Sequence, residues 1–433
     1  MTGDGVTGDR WQVFRHSSLP HCCHSSVVMP SFNQAAYLQE AACSVLKQSG
    51  NGTELVVVDG GSTDGSLGVL ADLTQAFPGR LRWYSAPDGG PAEAINRAVG
   101  LARGKIIGWL NSDDVYARGA IRRALRYLQK YPDQVMVYGH GRHINGVGKV
   151  VGNYPSLPPA GGIDAFVDGC FICQPTAFFR REVFEELGGL DTRLEASFDF
   201  DLWLRLFKRF PGRIGFIRKV QAYSRLHEQC ITRRLRERVA LEGLAVTARH
   251  FGTAPVHWML THFEEVLAAH PFHAAPLDLA AELRRLAQLA KTYVAADQHA
   301  VLLERVRSDR RLALAARDVM VDVHPDGWAG PRLDVRFQQS DHSVRAVILY
   351  CRHASPAKRP LRLTIISPGE APRIQEVPEK AEFEIRLPVN AAQEGARMIF
   401  RIGTDGWFVP SRHTKTSMDN RRLAFLVDRC RLL

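Results

Sequence analysis

The chain has 433 residues, a formal net charge of +11, 45% hydrophobic and 23% charged residues. That length exceeds what one hydrophobic core serves, so two or three domains are expected. Eight cysteines are too few for a disulfide framework, and no stretch reaches the roughly 18 apolar residues of a membrane span.

The stretch MTGDGVTGDRWQVFRHSS is polar and lacks an apolar h-region, so residues 1–24 read as a disordered tail rather than a signal peptide, and a cytoplasmic protein is expected. The HCCH run at 21–24 carries zinc-ligand types. Neighbours in extended chain point to opposite faces, so four in a row cannot close a tetrahedron. From 25 to 140 strand and helix patterns alternate. SSVVMP is a short apolar strand, and QAAYLQEAACSVLKQ follows with helical spacing of Tyr37, Leu38, Ala41, Ala42 and Val45. ELVVVDGG is a second strand, near-continuous in Val as a sheet buried on both faces requires. Ser62 and Asp64 open the helix STDGSLGVLADLTQAF. LRWYSA is a third strand, and Pro91 suits the first residue of the helix PAEAINRAVGLA. KIIGWLN and ARGAIRRALRYLQKY give a fourth strand and a fourth helix. This order predicts a doubly wound, Rossmann-like α/β domain.

In such a sheet, ligands bind beyond the carboxyl ends of the strands. Those ends carry Pro30-Ser31-Phe32-Asn33, Asp59-Gly60-Gly61, Pro87-Asp88-Gly89-Gly90 and Asn111-Ser112-Asp113-Asp114. Three acidic loops on one crevice repel one another unless a cation or hydrogen-bond donors offset them, which points to a metal or a ligand. Further on, QVMVYGHGRHINGVGKVVGN predicts a hairpin about Asn145-Gly146. QPTAFFRREVFEELGGLD reads as a strand, a short helix and a Gly-Gly stop, and SFDFDLWLRLFKRF as an aromatic-rich helix. Between Arg205 and Arg249, twelve Lys and Arg stand against three Asp and Glu. That run is either a solvated helix face or a surface for phosphates or lipid headgroups. Cys170 and Cys173 have C-x-x-C spacing without a second pair, so all the cysteines read as reduced thiols. Residues 231–324 read as a helical region. From 325 to 433 the period drops to two in RLDVRF, RAVILYC, LRLTIIS, FEIRLPV, RMIFRIG and RLAFLVDRC, the strands of a C-terminal β-sandwich.

Together, VVMPSFNQAAYLQEAACSVLKQS, ELVVVDGGSTDGS and APDGGPAEAINRAVGLARGKIIGWLNSDD resemble the inverting glycosyltransferases of family 2, which have the GT-A fold. The WLNSDD form is similar to bacterial members that build cell-surface polysaccharides. QPTAFFRREVFEELGGLDTRLEASFDFDLWLRL resembles the acceptor-side half of the same domain, so the resemblance covers about 25–230. It implies a nucleotide-diphospho-sugar donor, UDP or dTDP first, a Mg²⁺ or Mn²⁺ ion, and a hydroxyl of a glycan or lipid-linked oligosaccharide as acceptor. By family position Asp113 binds the metal, and Asp114 is a compensating ligand or the N-cap of the next helix. Asn111 stands where the family has the first Asp of Asp-x-Asp, with Ser112 between. Asn keeps a hydrogen-bonding oxygen for ribose or a metal-bound water but loses a charge. Asp59 matches the residue that accepts from the base; Pro30, Ser31 and Asn33 line the base; Asp88 lies near the ribose; and Asn96 reaches towards the donor. Asp199 holds the position of the acceptor base. Asp201, about 200° round the helix, pairs with Arg205 at i+4. His227 falls where relatives carry an Arg-x-His, as a metal or diphosphate contact.

Rival readings remain open. A non-catalytic carbohydrate-binding or scaffold subunit would keep the fold but lose the chemistry, in line with Asn111 and Phe198 where the family has acids. A nucleotidyltransferase would need a Gly-rich loop and a following Lys or Arg after the first strand, which PSFNQAAY lacks. The basic run has no aromatic stacking pattern for nucleic acid. It suits peripheral contact with the inner face of a membrane instead.

Overall fold

The structure, a computed structural model, describes residues 12–14, 24–48, 50, 52–270, 279–309, 312, 318–338, 344–354, 356, 359–389, 397–413 and 417–433. Most of the expected N-terminal tail, with His21, Cys22 and Cys23, lies outside the described residues. The chain divides into two compact units, Met1–Ala254 and Pro255–Leu433.

In the first unit β2 (Ser25–Ser31), β3 (Thr53–Asp59), β4 (Leu81–Ser85) and β5 (Ile106–Trp109) are parallel, in the order β4-β3-β2-β5. The edge strand β1 (Gln12–Phe14) pairs antiparallel with β4. Helices α1 (Ala35–Leu46), α2 (Ser66–Ala76) and α3 (Pro91–Leu101) make the crossovers. Every residue of β2 and β3 is buried, which is why both read as apolar runs. Strand order reverses between β2 and β5, so their carboxyl ends form the switch point where a crevice opens. The ladder between these two strands reaches Val28, and Pro30 has no N–H with which to extend it.

Beyond β5 the sheet becomes mixed. β9 (Phe178–Arg180) runs antiparallel to β5 and to β7 (Met136–Asn145). The long β10 (Ile214–Leu226) runs parallel to β7, and β6 (Val115–Tyr116) pairs antiparallel with β10. β7 and β8 (Val150–Asn153) form the expected hairpin, with Asn145 Oδ1 accepting from the amides of Val147 and Lys149. Outside the sheet lie α4 (Ala120–Lys130), α5 (Arg181–Glu186), α6 (Phe198–Arg209), α7 (Ile231–Arg234) and α8 (Arg236–Phe251). The sheet therefore uses a strand, β10, inside the stretch that read only as basic surface. Its pairing with β7 slips between Ile217 and Val220 and again between Val220 and Ala222. Those bulges break the two-residue period by which a strand is recognised.

The helical stretch expected at 231–324 is divided between the units: α7 and α8 belong to the first, and α9 (His257–Ala269), α10 (Leu279–Ala290) and α11 (Ala296–Ser308) to the second. In the second unit, one sheet orders β11 (Val319–Val321), β13 (Arg332–Gln338), β18 (Arg397–Thr404), β15 (Leu361–Ile366) and β16 (Arg373–Val377). The other orders β12 (Trp328–Ala329), β19 (Phe425–Leu432), β14 (Ala346–Arg352) and β17 (Glu382–Pro388). Side chains from both sheets share one apolar core that includes Leu349, Leu363, Phe400 and Phe425, so the unit is a β-sandwich. The short β11 and β12 and the exposed β16 had left no alternation to read.

At its amino end, β3 buries a charge in the parallel sheet. Glu54 of β3 is fully buried, accepts from Ser26 Oγ and the Arg103 amide at 2.7 Å each, and pairs with Arg82 at 2.8 Å. Glu54→Ala would leave those donors unmet. It is expected to destabilise the first unit by about 3–5 kcal/mol in chemical denaturation.

Candidate active site at the strand ends

The loops after β2 and β3 are tied to each other by side chains. Asn33, with φ of 51°, accepts the Thr63 amide on Oδ1 at 2.9 Å, and its own amide donates to Ser62 Oγ at 2.7 Å. Asp64 Oδ2 accepts the Ala35 amide at the start of α1, while Oδ1 accepts the Ser66 amide and hydroxyl at the start of α2. Against burial, which raises it, these bonds from Ser66 and Ala35 hold the Asp64 carboxyl below the usual carboxylate range. One carboxylate thus caps two helices.

Asp59 is fully buried. Its Oδ1 accepts from the amides of Gly61 and Ser62 and from Ser85 Oγ, and its Oδ2 accepts Ser62 Oγ at 2.6 Å. Three of these donors converge on Oδ1 and one on Oδ2, so the buried carboxylate is tied into its own turn. Asp59, expected to accept from a base, organises the turn in this structure. Asn96, expected to reach towards the donor, is bonded within the protein. Its amide exchanges bonds with the backbone of Leu190, at 2.9 Å and 2.8 Å, and fastens α3 to the loop before α6. Pro30 and Ser31 are buried at the end of β2, with the Ser31 hydroxyl enclosed, whereas Phe32 is 59% exposed on the ligand edge. Asp88 is half-buried beside Gly60, with Oδ1 accepting the Gly90 amide at 2.9 Å. Burial raises its carboxyl; the Gly90 amide opposes this, and Glu93 and Asp59 add to the rise.

After β5, four residues diverge in role. Asn111 Oδ1 accepts the Trp109 indole N–H at 3.0 Å, while Nδ2 donates to Gln174 Oε1 at 3.1 Å and faces Asp114 Oδ2 at 3.4 Å. Ser112 is buried in the turn. Asp113 and His227 come together, with Oδ2 and Nε2 3.0 Å apart. The Tyr37 ring lies 4.8 Å from the imidazole. Asp114 does not cap a helix: α4 begins six residues on, behind Gly119. Its Oδ1 accepts the Arg225 amide at 2.8 Å. Burial and then Asp113 push its carboxyl well above the usual range, against the pull of Arg225. Asp114 is therefore bonded towards β10 rather than towards the crevice. Among the described residues, no three His, Cys, Asp or Glu side chains converge as a metal cage.

On the acceptor side, Asp199 lies in the first turn of α6, anchored by buried Phe198, Leu202, Leu206 and the following Phe210. The residue keeps some solvent access, yet its carboxyl is enclosed by protein, and burial pushes it up to about 6 against the Phe200 amide. Tyr154, Cys170 and Cys173 stand within electrostatic reach of it. Burial and then Asp199 hold the Cys170 thiol up at about 12, so the C-x-x-C pair remains protonated. The six cysteines among the described residues are free. The chain entering α6 is fixed by Glu242 of α8, whose carboxylate accepts the amides of Glu195, Ala196 and Ser197 at 2.9 Å each. Asp201 bonds Arg205 at 2.7 Å, as its spacing predicts, and also Arg249. A cavity of about 400 Å³ beside Asp201 is walled by Asp191, Arg193, Arg205 and Arg249, whose charges pair with one another.

Arg225, Gln174, Glu242 and Phe32 escaped the sequence reading as site residues. Arg225 heads an Arg-x-His, which was the available signal, but the partners of Gln174 and Glu242 lie more than 40 residues away. Asn111→Asp would aim a carboxylate at Gln174 Oε1 and Asp114. Despite restoring the family residue, it is expected to lower stability by about 1–3 kcal/mol in thermal denaturation.

Residues 26–188 match the family model described as glycosyl transferase family 2. A Rickettsia felis protein named only as an uncharacterized glycosyltransferase is 26% identical over 223 residues, 48% of this chain and 35% of that protein. The chondroitin synthase of Pasteurella multocida is 29% identical over 201 residues, 46% of this chain and 20% of its own length. The matched stretch thus spans about a third or less of these relatives. The solved S. aureus TarS in complex with UDP overlaps 65% of this chain and 86% of its own, at 17% identity and a TM-score of 0.45. The doubly wound half-sheet and its acidic strand ends lie within the stretch 26–188 that matches the glycosyl transferase family 2 model.

Proposed function

We propose that this protein is an inverting glycosyltransferase. It moves a sugar from a nucleotide-diphospho-sugar to a hydroxyl of a growing surface glycan or lipid-linked oligosaccharide. The observation that carries the proposal is the separation of two carboxylates into different environments: Asp113 beside His227 at the switch point, and Asp199 enclosed at the start of α6 with its pKa pushed up to about 6. A base of that pKa is ionised near pH 7 and still accepts a proton readily. Asp199 takes the acceptor's proton as its oxygen attacks the anomeric carbon. The bond from that carbon to the diphosphate oxygen breaks, and inversion follows from the single displacement. Asp113 and His227 suit a divalent cation held by few protein ligands and completed by phosphate oxygens and water. When bound, such an ion offsets charge on the departing diphosphate. Asp114 is left out of this ligand set by its bond to Arg225.

The two departures that favoured a non-catalytic reading have packing explanations. Asn111 donates where an Asp would repel, and Phe198 stacks on Trp109 with ring centres 5.9 Å apart. Resemblance to a chain named chondroitin synthase supports a polysaccharide acceptor. Among the described residues, no helix is long and apolar enough to cross a membrane. Peripheral contact with an inner membrane face would fall to Lys208, Arg218, Lys219, Arg233 and Arg234. Within that run Arg205, Arg209, Arg225, Arg238 and Arg249 pair with acids, and Arg213 donates to the Asp133 carbonyl.

Asp199→Asn should lower turnover by about 10²–10⁴-fold with donor affinity, measured by calorimetry, unchanged. Wild-type kcat should rise with pH through about 6. Collapse of donor affinity in this variant would instead make Asp199 a binding residue. Because its folded pKa is raised, the carboxyl costs stability as pH climbs from about 4, where the unfolded chain ionises, to about 6, and the cost then stays constant. The Asn variant should therefore melt higher than wild type at pH 7 and no higher below pH 4. Asp113→Ala should abolish Mn²⁺-dependent donor binding while leaving the melting temperature near wild type. Full activity in EDTA would remove the metal from the proposal.

A further inference from the structure

Asp59 is fully buried and bonded within its own turn, whereas Asp88 on the same edge keeps an oxygen that no described residue engages. We propose that Asp88 is the acceptor for the donor's base, reading the ring N–H of a uracil or thymine across the gap left by Gly60, with Phe32 as the stacking surface. This rests on the donor being a nucleoside diphosphate sugar, as proposed above.

Three observations converge on one spot. A Cβ at Gly60 would lie 3.2 Å and 3.3 Å from the two carboxylate oxygens of Asp88 and 3.3 Å from the Phe32 ring. The carboxylate of one loop and the aromatic of another thus meet over a position that carries no side chain. Phe32, the first residue after the wholly buried strand β2, is 59% exposed, a position that packing alone does not account for. A flat ring at the switch point offers a base a surface to stack on. Lastly, Asp88 is only half engaged. Oδ1 accepts the Gly90 amide, and no bond from the described residues is found on Oδ2. The carboxyl's raised affinity for a proton, set by burial, Glu93 and Asp59, is what a nearby hydrogen-bond donor would relieve.

The free oxygen also sets the specificity. Uracil and thymine present one ring N–H between two carbonyls, and a single carboxylate oxygen accepts it. Cytosine presents an unprotonated ring nitrogen there, and two lone pairs would face each other. Guanine presents two adjacent donors, which call for both carboxylate oxygens, but Oδ1 is committed to Gly90.

The test is titration calorimetry of the full chain with UDP, CDP and GDP in the presence of Mn²⁺, for wild type and Asp88→Asn. Asn keeps an oxygen for the Gly90 amide and turns an NH₂ towards the base. Wild type is expected to bind UDP at least tenfold more tightly than CDP or GDP. In Asp88→Asn, UDP affinity should fall about 10–100-fold, and CDP affinity should rise above that of UDP. Equal melting temperatures for the two proteins would show that the fold is intact. In a second variant, Phe32→Ala, all three nucleotides should weaken together without a change of rank. Failure of all three to bind wild type would overturn the donor proposal itself. Binding of UDP with an unchanged UDP-to-CDP ratio in Asp88→Asn, or a wild-type preference for GDP, would overturn the role of Asp88 alone.

Discussion

The site hangs on one buried guanidinium. The Arg225 side chain is 1% exposed, stacked 4.8 Å from the Tyr37 ring centre, and spreads its donors over three segments. Nε reaches the Asp113 carbonyl at 2.8 Å, Nη1 the carbonyls of Asn145 and Gly146 at 3.2 Å each, and Nη2 the Glu40 carboxylate at 2.6 Å. The residue's own amide holds Asp114. Helix α1, the loop after β5 and the tip of the β7–β8 hairpin are therefore registered against β10 by one planar group. A lysine could carry the charge but not the fork of donors. With Arg225 in place, His227 two residues on is delivered to Asp113.

Asn96 does for α3 what Arg225 does for the loop after β5. Its side chain mimics a strand partner for Leu190, and Gly189 beside it has φ of 74° and room for no Cβ, which would sit 2.7 Å from Asn96 Oδ1. The loop that leads to α6 is thus placed from the donor half of the domain. Donor and acceptor sides are coupled through backbone geometry rather than through a charged pair.

The parallel half of the sheet was legible because burial on both faces turns strands into apolar runs and because Pro91 and the Gly-rich stops mark the helix ends. Motif order singled out Asp113 and His227, whose side chains the structure brings within 3.0 Å, and Asp199, which it places in the first turn of α6. The bonds that Asp59 and Asn96 make inside the protein were not legible, because the spacing of a residue says where its Cα goes and not which backbone groups will close on its side chain. Four donors on Asp59 come from Gly61, Ser62 and Ser85, and only the first two are near in sequence. The strand β10 was hidden by its bulges, and the line between the two units was hidden because helix follows helix there, with α8 packing on α6 in the first unit and α9 on α10 in the second.

The grip of Glu242 on residues 195–197 bears on where this protein can be cut. A fragment ending at 188, where the family match stops, omits Asp199 and His227 altogether. One ending at 230, where the motif resemblance fades, keeps every side chain assigned to the chemistry, yet exposes three adjacent amides ahead of α6 and lets its first turn fray. The smallest autonomous piece is therefore set by a carboxylate with no part in the reaction, and its border lies past α8, near Ala254.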